Sequence, residues 1–172
     1  MALLPILIHP AGPLKQKAQP VRDFDADLRR LVDDMLETMY AAPGIGLAAN
    51  QVGVLKRVVV IDVAGKDEPA APMHFINPEI VGESAQIATY EEGCLSIPEI
   101  YAEVSRPAEV RVRYQTLDGN TVERDCDGLL ATCIQHEIDH LNGVLFVDHL
   151  SSLKRNMLLK RLAKLQRDKQ RA

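Results

Sequence analysis

The sequence predicts an α+β fold, in which antiparallel or mixed β-sheets pack around a central helix and a further helix follows at the C-terminus. Two observations carry this prediction. Helical periodicity is confined to the two ends of the chain, whereas the middle consists of short runs rich in β-branched residues. Because helices and strands do not alternate regularly, a doubly wound parallel sheet is disfavoured.

Length and composition indicate a single globular domain over residues 1–172. The chain is 47% hydrophobic and 26% charged, close to the average of folded proteins. It has no apolar run of about 18 residues and no charged leader, so we expect a cytoplasmic protein. Three cysteines form an odd and sparse set, which favours a reducing compartment and a catalytic or metal-binding role for at least one of them.

The first helix is predicted to begin after Asp25, a good N-cap residue, and to end before Pro43. Apolar residues recur along it at three- and four-residue steps, at Leu28, Leu31, Val32, Met35, Leu36 and Met39. Such spacing places them on one face of a helix, which is then available to pack against a sheet.

Short strands are predicted in the middle of the chain. Residues 57–63 are mostly β-branched, and residues 75–76 and 80–81 indicate two further short strands. Residues 110–114 alternate between apolar and charged side chains before a turn at 117–119. Consecutive short strands of this kind are typical of antiparallel sheet.

Two helices are predicted near the C-terminus. One begins near Asp127 and stops at Gly143, a residue suited to a left-handed cap. The other, over about 151–169, is amphipathic and basic. Residues 154–172 hold eight basic residues and one acidic residue, a net charge of +7, which leaves 12 basic and 23 acidic residues and a net charge of −11 on residues 1–153. The total of −4 therefore averages an acidic body and a basic helix.

The strongest chemical signal is His136-Glu137-Ile138-Asp139-His140, an HExxH pattern in the first of these two helices. Residues four apart lie one turn apart on the same helix face, so both imidazoles can reach one metal ion. Glu137 can then reach a water on that metal. The alternative is a pair of surface histidines, because a metal site also needs a third ligand.

The third ligand is expected to precede the helix, because the sixth position after His140 is Phe146 rather than histidine. Cys133 lies on the same helix as both histidines, and three ligands there would span roughly two turns, or 10 Å, so it is expected to line a pocket. Cys126 is interpreted as a small buried residue. Cys94 remains the strongest candidate, with a buried free cysteine as the alternative.

A third feature is the run Gly44-Ile45-Gly46-Leu47-Ala48-Ala49-Asn50-Gln51. Its small residues allow another chain to approach the backbone closely. It lacks the preceding strand and the third glycine of a dinucleotide-binding fingerprint. The side-chain amide of Gln51 is a candidate hydrogen-bond donor.

Together these segments resemble the peptide deformylase family. That family carries Gly-x-Gly-x-Ala-Ala-x-Gln, Glu-Gly-Cys-x-Ser and Gln-His-Glu-x-Asp-His-Leu-x-Gly in this order, and residues 44–51, 92–96 and 135–143 match without a mismatch. The resemblance covers essentially the whole chain. The basic C-terminal helix is similar to the form of the family found in Gram-negative bacteria.

The resemblance implies a metal-dependent hydrolase that removes the formyl group from the N-terminal formyl-methionine of newly synthesised polypeptides and releases formate. It implies that Cys94, His136 and His140 hold one divalent ion, Fe(II) in the cell, with Zn, Ni or Co possible in preparations. Hydroxide on this metal would attack the formyl carbon, with Glu137 acting first as general base and then as general acid.

Further roles follow from the same resemblance. The Gln51 amide and the Leu95 backbone N–H would stabilise the oxyanion. Gly46 would pair with the backbone of an extended substrate peptide. The substrate methionine is expected to contact Ile45, Leu129 and Cys133.

The resemblance and the charge of the C-terminal helix also predict the partners of the protein. The implied substrates are nascent N-formylmethionyl polypeptides, and the basic helix suggests contact with the ribosome near the exit tunnel, although a solvated helix face would have the same charge. No membrane or DNA partner is expected. The alternatives are an HExxH metalloendopeptidase and a non-catalytic, metal-stabilised protein that docks on the ribosome.

Five other residues are candidates for supporting or purely structural roles. Arg106 and Asp139 are expected either to orient the metal ligands or to form an ordinary surface salt bridge. His9, His74 and His149 have no partners at metal-binding spacing and are interpreted as surface or loop residues.

Overall fold

The computed structural model describes residues 2–171. Three α-helices and seven β-strands lie in that range, with short 3₁₀ helices at Gly12–Lys15, Ala49–Val52 and Phe146–His149. In chain order they are α1 (Ala26–Ala41), β1 (Gly46–Ala48), β2 (Val58–Ile61), β3 (Met73–Glu83), β4 (Ile87–Cys94), β5 (Ile97–Pro107), β6 (Val110–Gln115), β7 (Thr121–Cys126), α2 (Gly128–Leu141) and α3 (Ser152–Arg171). The predicted α+β class is confirmed.

The strands form one large sheet and one hairpin, and every strand pair within them is antiparallel. The large sheet has five strands in the order β1-β2-β3-β6-β7, and β4 pairs with β5 alone. All four residues of β2 are buried. Val58 and Val60 pack in the cluster that contains α1, whereas Val59 and Ile61 pack in the cluster that contains α2. The two helices therefore cover opposite faces of the sheet.

Helix α1 begins as predicted, because the Asp25 carboxylate accepts a hydrogen bond from the Leu28 N–H at 3.0 Å. Its apolar residues Leu28, Val32, Met35 and Met39 are buried against the sheet. The chain then turns through Pro43 and Gly44 into β1, which lies inside the glycine- and alanine-rich run. This turn sets the position of Gly46 beside α2.

Helix α2 lies between the large sheet and the β4–β5 hairpin, where ten of its 14 residues are buried. It ends at Leu141, and Gly143 follows with φ of +76°, the left-handed conformation that the sequence predicts there. The Arg57 guanidinium donates to the Leu141 carbonyl at 3.1 Å and so satisfies one of the last carbonyls of the helix.

Helix α3 packs on the hairpin side of the molecule, against β5 and the 3₁₀ helix Phe146–His149. Within it only Leu158 and Leu162 are buried. Leu153 and Met157, which belong to its apolar set in the sequence, are 82% and 60% exposed. None of the helices within residues 2–171 combines the length and apolar character that a membrane crossing needs.

Two regions of sheet differ from the prediction. The short strands expected at 75–76 and 80–81 are parts of one strand, β3, whose pairing with β6 shifts between Ile76 and Glu79. Asn77 adopts φ of +51° at that shift. The β4–β5 hairpin was not predicted, because Gly93 and Pro98 interrupt its alternation. Its pairing continues past them with a register shift between Glu92 and Cys94.

Candidate metal centre

Three side chains from two elements converge at the bottom of a cleft between the hairpin and α2. Cys94 is the last residue of β4, and His136 and His140 lie one turn apart on α2. Cys94 Sγ lies 3.2 Å from His140 Nε2, which lies 3.2 Å from His136 Nε2. One ligand atom from each of the three residues falls within 4.8 Å of the others.

A carboxylate holds His136 in place. Glu92, two residues before Cys94, lies 3.0 Å from His136 Nδ1 through its Oε1 atom. Because this contact occupies Nδ1, the Nε2 atom of His136 is directed toward Cys94 and His140. A hydrogen bond of this kind typically fixes the orientation of a metal-binding imidazole.

Glu92 is in turn held by a buried arginine. Arg106 donates to it from Nε at 2.7 Å and from Nη2 at 3.0 Å, and donates to Asp139 from Nη1 at 2.8 Å. The Arg106 side chain is only 6% exposed, so the contact with Asp139 is not an ordinary surface salt bridge. Asp139 also lies 2.8 Å from His149 Nε2. His149 is a surface residue, 36% exposed at its side chain, that extends this network by one contact.

The charges in the cluster follow from burial and hydrogen bonding. Burial alone would raise the pKa of Glu92, but hydrogen bonds from His136 and Arg106 outweigh it and lower that pKa to about 2. Burial, together with the neighbouring His136 and Arg106, lowers the pKa of His140 well below its usual value. His140 is thus a neutral imidazole, the form that binds metal ions.

Glu137 is buried beside the three converging side chains. Burial raises its pKa to about 7. Within residues 2–171 its Oε1 atom has no hydrogen-bond partner. A carboxyl group with a free oxygen and a pKa near neutrality is suited to taking up and returning a proton.

The three converging side chains fit a single divalent ion. Thiolate and imidazole ligands suit zinc and ferrous iron. Two Nε2 atoms and one sulfur face a common point, and the first histidine has the carboxylate partner that is typical of a metal ligand. Residues 94, 136 and 140 together could therefore hold a metal ion.

The cleft above these residues has a volume of about 780 Å³. Ile45 and Leu129 lie on its rim, 43% and 45% exposed. Cys133 lines its wall, and burial raises the pKa of this thiol well above its usual value, so it stays protonated. Cys126 is buried in the core beside the large sheet, away from the cleft.

Gly46 and Gln51 lie at the inner end of the cleft. A Cβ atom added to Gly46 would lie 2.8 Å from Cys133 Sγ and would overlap the Glu137 carboxylate, so only glycine fits there. The Gln51 Nε2 atom donates to Ser96 Oγ at 3.1 Å, while its Oε1 atom accepts from the Ala48 N–H at 3.0 Å. These contacts settle the amide orientation, with its N–H groups facing the cysteine.

The structure thus brings the predicted site residues to one cleft and adds residues that the sequence did not indicate. Glu92 lies within the second matched segment, but its role depends on Arg106, 14 residues away, and on α2. Phe146 stands at the position of a third histidine ligand in one class of HExxH enzymes, and its ring stacks on His136 with a centroid distance of 6.1 Å. Tyr90 and Tyr101 line the cleft mouth. They lie on the paired strands β4 and β5, where Tyr90 is opposite Val104.

An HExxH helix that shares a cleft with a cysteine from a neighbouring strand defines a metal-dependent hydrolase. Comparison with known proteins gives the family. The model of the polypeptide deformylase family matches residues 3–156. The chain therefore belongs to the polypeptide deformylase family, a family of metalloenzymes that remove N-terminal formyl groups.

Individual relatives agree with this assignment. The chain is similar to the peptide deformylase of Mesorhizobium japonicum, with 57% identity over 98% of this chain and 96% of the relative. It is 58% identical to that of Phenylobacterium zucineum, over 95% and 97% of the two chains. A crystal structure of a Legionella pneumophila peptide deformylase covers 99% of each chain with a TM-score of 0.92 and 45% identity. The Ehrlichia chaffeensis enzyme in complex with actinonin covers 97% of this chain and 99% of its own, with a TM-score of 0.91 and 41% identity.

Proposed function

We propose that this protein removes the formyl group from the N-terminal formyl-methionine of nascent polypeptides and releases formate. The single observation that carries the proposal is the cluster of Cys94, His136 and His140 with the buried Glu137 beside it at the bottom of an open cleft. Family membership supplies the reaction, and the cleft supplies room for an extended peptide.

We infer that Cys94, His136 and His140 are the metal ligands and that the ion is Fe(II) in the cell, with Zn, Ni or Co replacing it in preparations. When bound, such an ion supplies Lewis acidity, which polarises a carbonyl and lowers the pKa of water toward about 7. Glu92 keeps His136 oriented toward the ion, and Arg106 keeps Glu92 charged.

Glu137 is the proposed acid–base residue. Its free Oε1 atom takes the proton of the attacking water and later delivers it to the nitrogen of the leaving methionine. Each proton transfer of this kind typically contributes about 10²–10⁴ in rate. Burial keeps the carboxyl away from bulk solvent, so that the proton passes to the leaving amine.

The Gln51 side-chain amide and the Leu95 backbone N–H are the proposed donors to the developing oxyanion. Gln51 Nε2 lies 3.6 Å from Cys94 Sγ, so its amide is close to the ligand cluster. Leu95 directly follows the cysteine in the turn between β4 and β5. Loss of one such donor typically lowers turnover about 10²–10³-fold.

The substrate is proposed to lie along β1 as an additional strand. Gly46 permits close approach of its backbone, and the methionine side chain enters a pocket lined by Ile45, Leu129 and Cys133. Main-chain hydrogen bonds to an extended peptide are tolerant of sequence. This tolerance suits an enzyme whose substrates share only the first residue.

We further propose that the protein works in the bacterial cytoplasm and contacts the ribosome through α3. Residues 154–172 carry a net charge of +7, which is suited to contact with phosphate groups. Co-sedimentation with ribosomes at low salt should weaken in a variant with Lys160→Gln, Arg161→Gln and Lys164→Gln. A control with the same change in charge is Arg22→Gln, Lys56→Gln and Lys66→Gln. Equal binding by both variants would contradict the role of α3.

The reaction itself is tested by measuring formate release from formyl-Met-Ala-Ser and from the acetylated peptide. We expect formate from the formylated peptide and no cleavage of the acetylated one. Glu137→Gln should lose formate release while the protein keeps its metal. Cleavage of internal peptide bonds in blocked peptides would instead indicate an endopeptidase. A protein that releases no formate and keeps its other measurable functions in Glu137→Gln would indicate the non-catalytic alternative.

A further inference from the structure

Residues 2–9, here called the N-terminal strap, form neither a helix nor a strand, and a turn begins at Ile8, whose carbonyl accepts from the Ala11 N–H at 3.0 Å. Two of their backbone N–H groups bind side chains of α1. The Ala2 N–H donates to Asp34 Oδ1 at 2.7 Å, and the Leu4 N–H donates to Thr38 Oγ1 at 2.9 Å. The first half of the strap is thus fixed to α1, although it is outside the sheet.

The second half of the strap binds the two segments that carry the proposed oxyanion donors. The Leu7 N–H donates to the backbone carbonyl of Gln51 at 2.7 Å. The His9 N–H donates to the backbone carbonyl of Ser96, the residue after Leu95, at 2.9 Å. These are contacts to main-chain atoms, so they set the positions of the two segments rather than the rotamer of one side chain.

The side chains of the two halves of the strap also pack in different clusters. Leu4 packs against the apolar cluster of α1 and the sheet, which includes Ala49. Leu7 packs against the cluster of the hairpin and α3, which includes Ile97. Ile6, between them, lines the cleft. The strap therefore packs against both clusters, and the Leu95 side chain belongs to the one that Leu4 contacts.

The two N–H groups that reach the site are close in sequence. Two residues of extended chain span at most about 7 Å, and the backbone between them cannot be stretched further. Leu7 and His9 consequently limit how far Gln51 and Ser96 can separate. If the N–H groups of Leu7 and His9 are removed, one direct hydrogen bond between Gln51 and Ser96 remains within residues 2–171. It runs from Gln51 Nε2 to Ser96 Oγ.

We propose that the N-terminal strap is a positioning element for the oxyanion donors. It holds Gln51 and the turn that contains Leu95 at a fixed separation, so that both donors reach the same oxygen atom. The proposal rests on the proposed function, since it assigns a means of positioning to that same site. The strap residues themselves do not touch the reacting atoms.

The test compares Leu7→Pro with Ile8→Pro. Proline at residue 7 removes the N–H that binds the Gln51 carbonyl, whereas the Ile8 N–H has no protein acceptor within residues 2–171. We expect Leu7→Pro to lower kcat for formate release about tenfold or more. KM and metal content should stay close to the wild-type values. Ile8→Pro should leave kcat near the wild-type value.

Hydrogen exchange supplies a readout that does not depend on activity. In Leu7→Pro, backbone amides at 49–53 and 94–97 should exchange faster than in Ile8→Pro, while those of α2 and α3 stay protected. Equal kcat values and equal exchange in the two variants would overturn the proposal. So would a loss in Leu7→Pro that is confined to KM or to metal content.

A second variant serves if Leu7→Pro fails to fold. Insertion of two glycines between Ile8 and His9 keeps the N–H groups of Leu7 and His9 but lengthens the chain that joins them, so that chain no longer limits the separation of Gln51 and Ser96. The insertion should raise exchange at 49–53 and 94–97 and lower kcat at unchanged metal content, and wild-type behaviour in both measurements would overturn the proposal. A wild-type protein that releases no formate would refute the proposed function, and the exchange comparison would then still decide whether the strap holds the two segments.

Discussion

Two arginine–carboxylate networks in this protein share their geometry and differ in their surroundings. At the bottom of the cleft, Arg106 Nε lies 2.7 Å from Glu92, and the two side chains are 6% and 5% exposed. On the exposed side of β6 and β7, Arg111 Nε lies 2.7 Å from Glu123, and the side chains are 48% and 34% exposed. The same contact distance occurs in a nearly dry site and in a wet one.

The difference in burial shows that an ion pair can position a neighbouring side chain without adding much to the stability of the fold. A buried ion pair must offset the cost of removing two charges from water, so its presence is weak evidence for stability. In the buried pair, Glu92 also contacts His136 Nδ1 and so orients that histidine. The exposed pair of Arg111 and Glu123 orients no residue of the site. A surface pair contributes little because water screens it and side-chain entropy opposes it. The two networks should therefore respond very differently to the same substitution.

The largest effect is expected for Arg106→Ala. This change leaves the Glu92 charge buried without its partner, which typically costs about 3–5 kcal/mol of unfolding free energy. His136 should also lose its fixed orientation, so metal content and formate release should fall together. Urea denaturation and elemental analysis of the purified variant measure the two effects.

The double variant Glu92→Met with Arg106→Met is the control for this prediction. Apolar residues that replace both charges should restore much of the stability lost in Arg106→Ala. They cannot hold His136 Nδ1, so formate release should stay low. Activity that returned together with stability would mean that the network does not position the histidine.

A smaller effect on stability and a large one on activity are expected for Gly46→Ala. Glu137 differs from Glu92 in the same buried cluster, because its Oε1 atom has no partner and its position depends on packing against Gly46. The added methyl group should displace the carboxyl and lower kcat about 100-fold, with retention of metal. Gly12→Ala is the matched control, since nothing lies within 4 Å of a Cβ atom added there. Unchanged kcat in Gly46→Ala would contradict the proposed position of the acid–base residue.

Asp62 is a buried carboxylate outside the cleft. Asp62 accepts from the Tyr40 hydroxyl at 2.6 Å and from the N–H groups of Ala64 and Ala71 at 2.9 and 3.0 Å. Burial alone would raise the pKa of Asp62, but these hydrogen bonds outweigh it and lower that pKa. The charged form is therefore favoured by folding, and its contribution is present above the unfolded pKa of about 3.9 and is lost as the pH falls through the lower pKa of the folded state.

Asp62→Asn should consequently destabilise the protein at pH 7 and have a smaller effect near pH 3. Urea denaturation at the two pH values measures this difference, with the exposed Asp67→Asn as control. Metal content at pH 7 should not change, because Asp62 is remote from the ligands. A destabilisation that grew as the pH fell would contradict the assignment of Asp62 as a charged acceptor.

The smallest effect is expected for Arg111→Ala. Its partners Glu123 and Asp125 are solvated and keep their charges in water when the arginine is removed. The unfolding midpoint should stay within experimental error of the wild type at 0.15 M salt, and formate release should not change. A loss as large as that of Arg106→Ala would remove the distinction between the two networks.

The sequence predicts those features of the molecule that depend on residues close together in the chain. Local patterns predicted α1 with its Asp25 cap, the end of α2 before Gly143, and the HExxH spacing, because each depends on residues within one or two turns. The β4–β5 hairpin was missed, since its pairing crosses a register shift at Glu92 and a proline at residue 98. Two short strands were predicted where one irregular strand, β3, exists.

The same limit applies to the site. Cys94 was reached by excluding the other cysteines and by resemblance, and it lies next to the two histidines. The link from His136 through Glu92 to Arg106 joins α2, β4 and β5, and no local pattern specifies such a contact. The contact of His149 with Asp139, ten residues earlier in the chain, is likewise not indicated by any local pattern. Contacts between distant elements follow from tertiary packing, which single-sequence periodicity does not encode.

The most direct test of the account is X-ray absorption at the metal edge of protein purified without oxygen, with Cys94→Ala in parallel. We expect one divalent ion per chain, bound by one sulfur and two imidazole nitrogens, and loss of the sulfur signal in the variant. A first shell without sulfur in the wild type, or an unchanged spectrum in Cys94→Ala, would contradict the metal centre on which the proposed function depends.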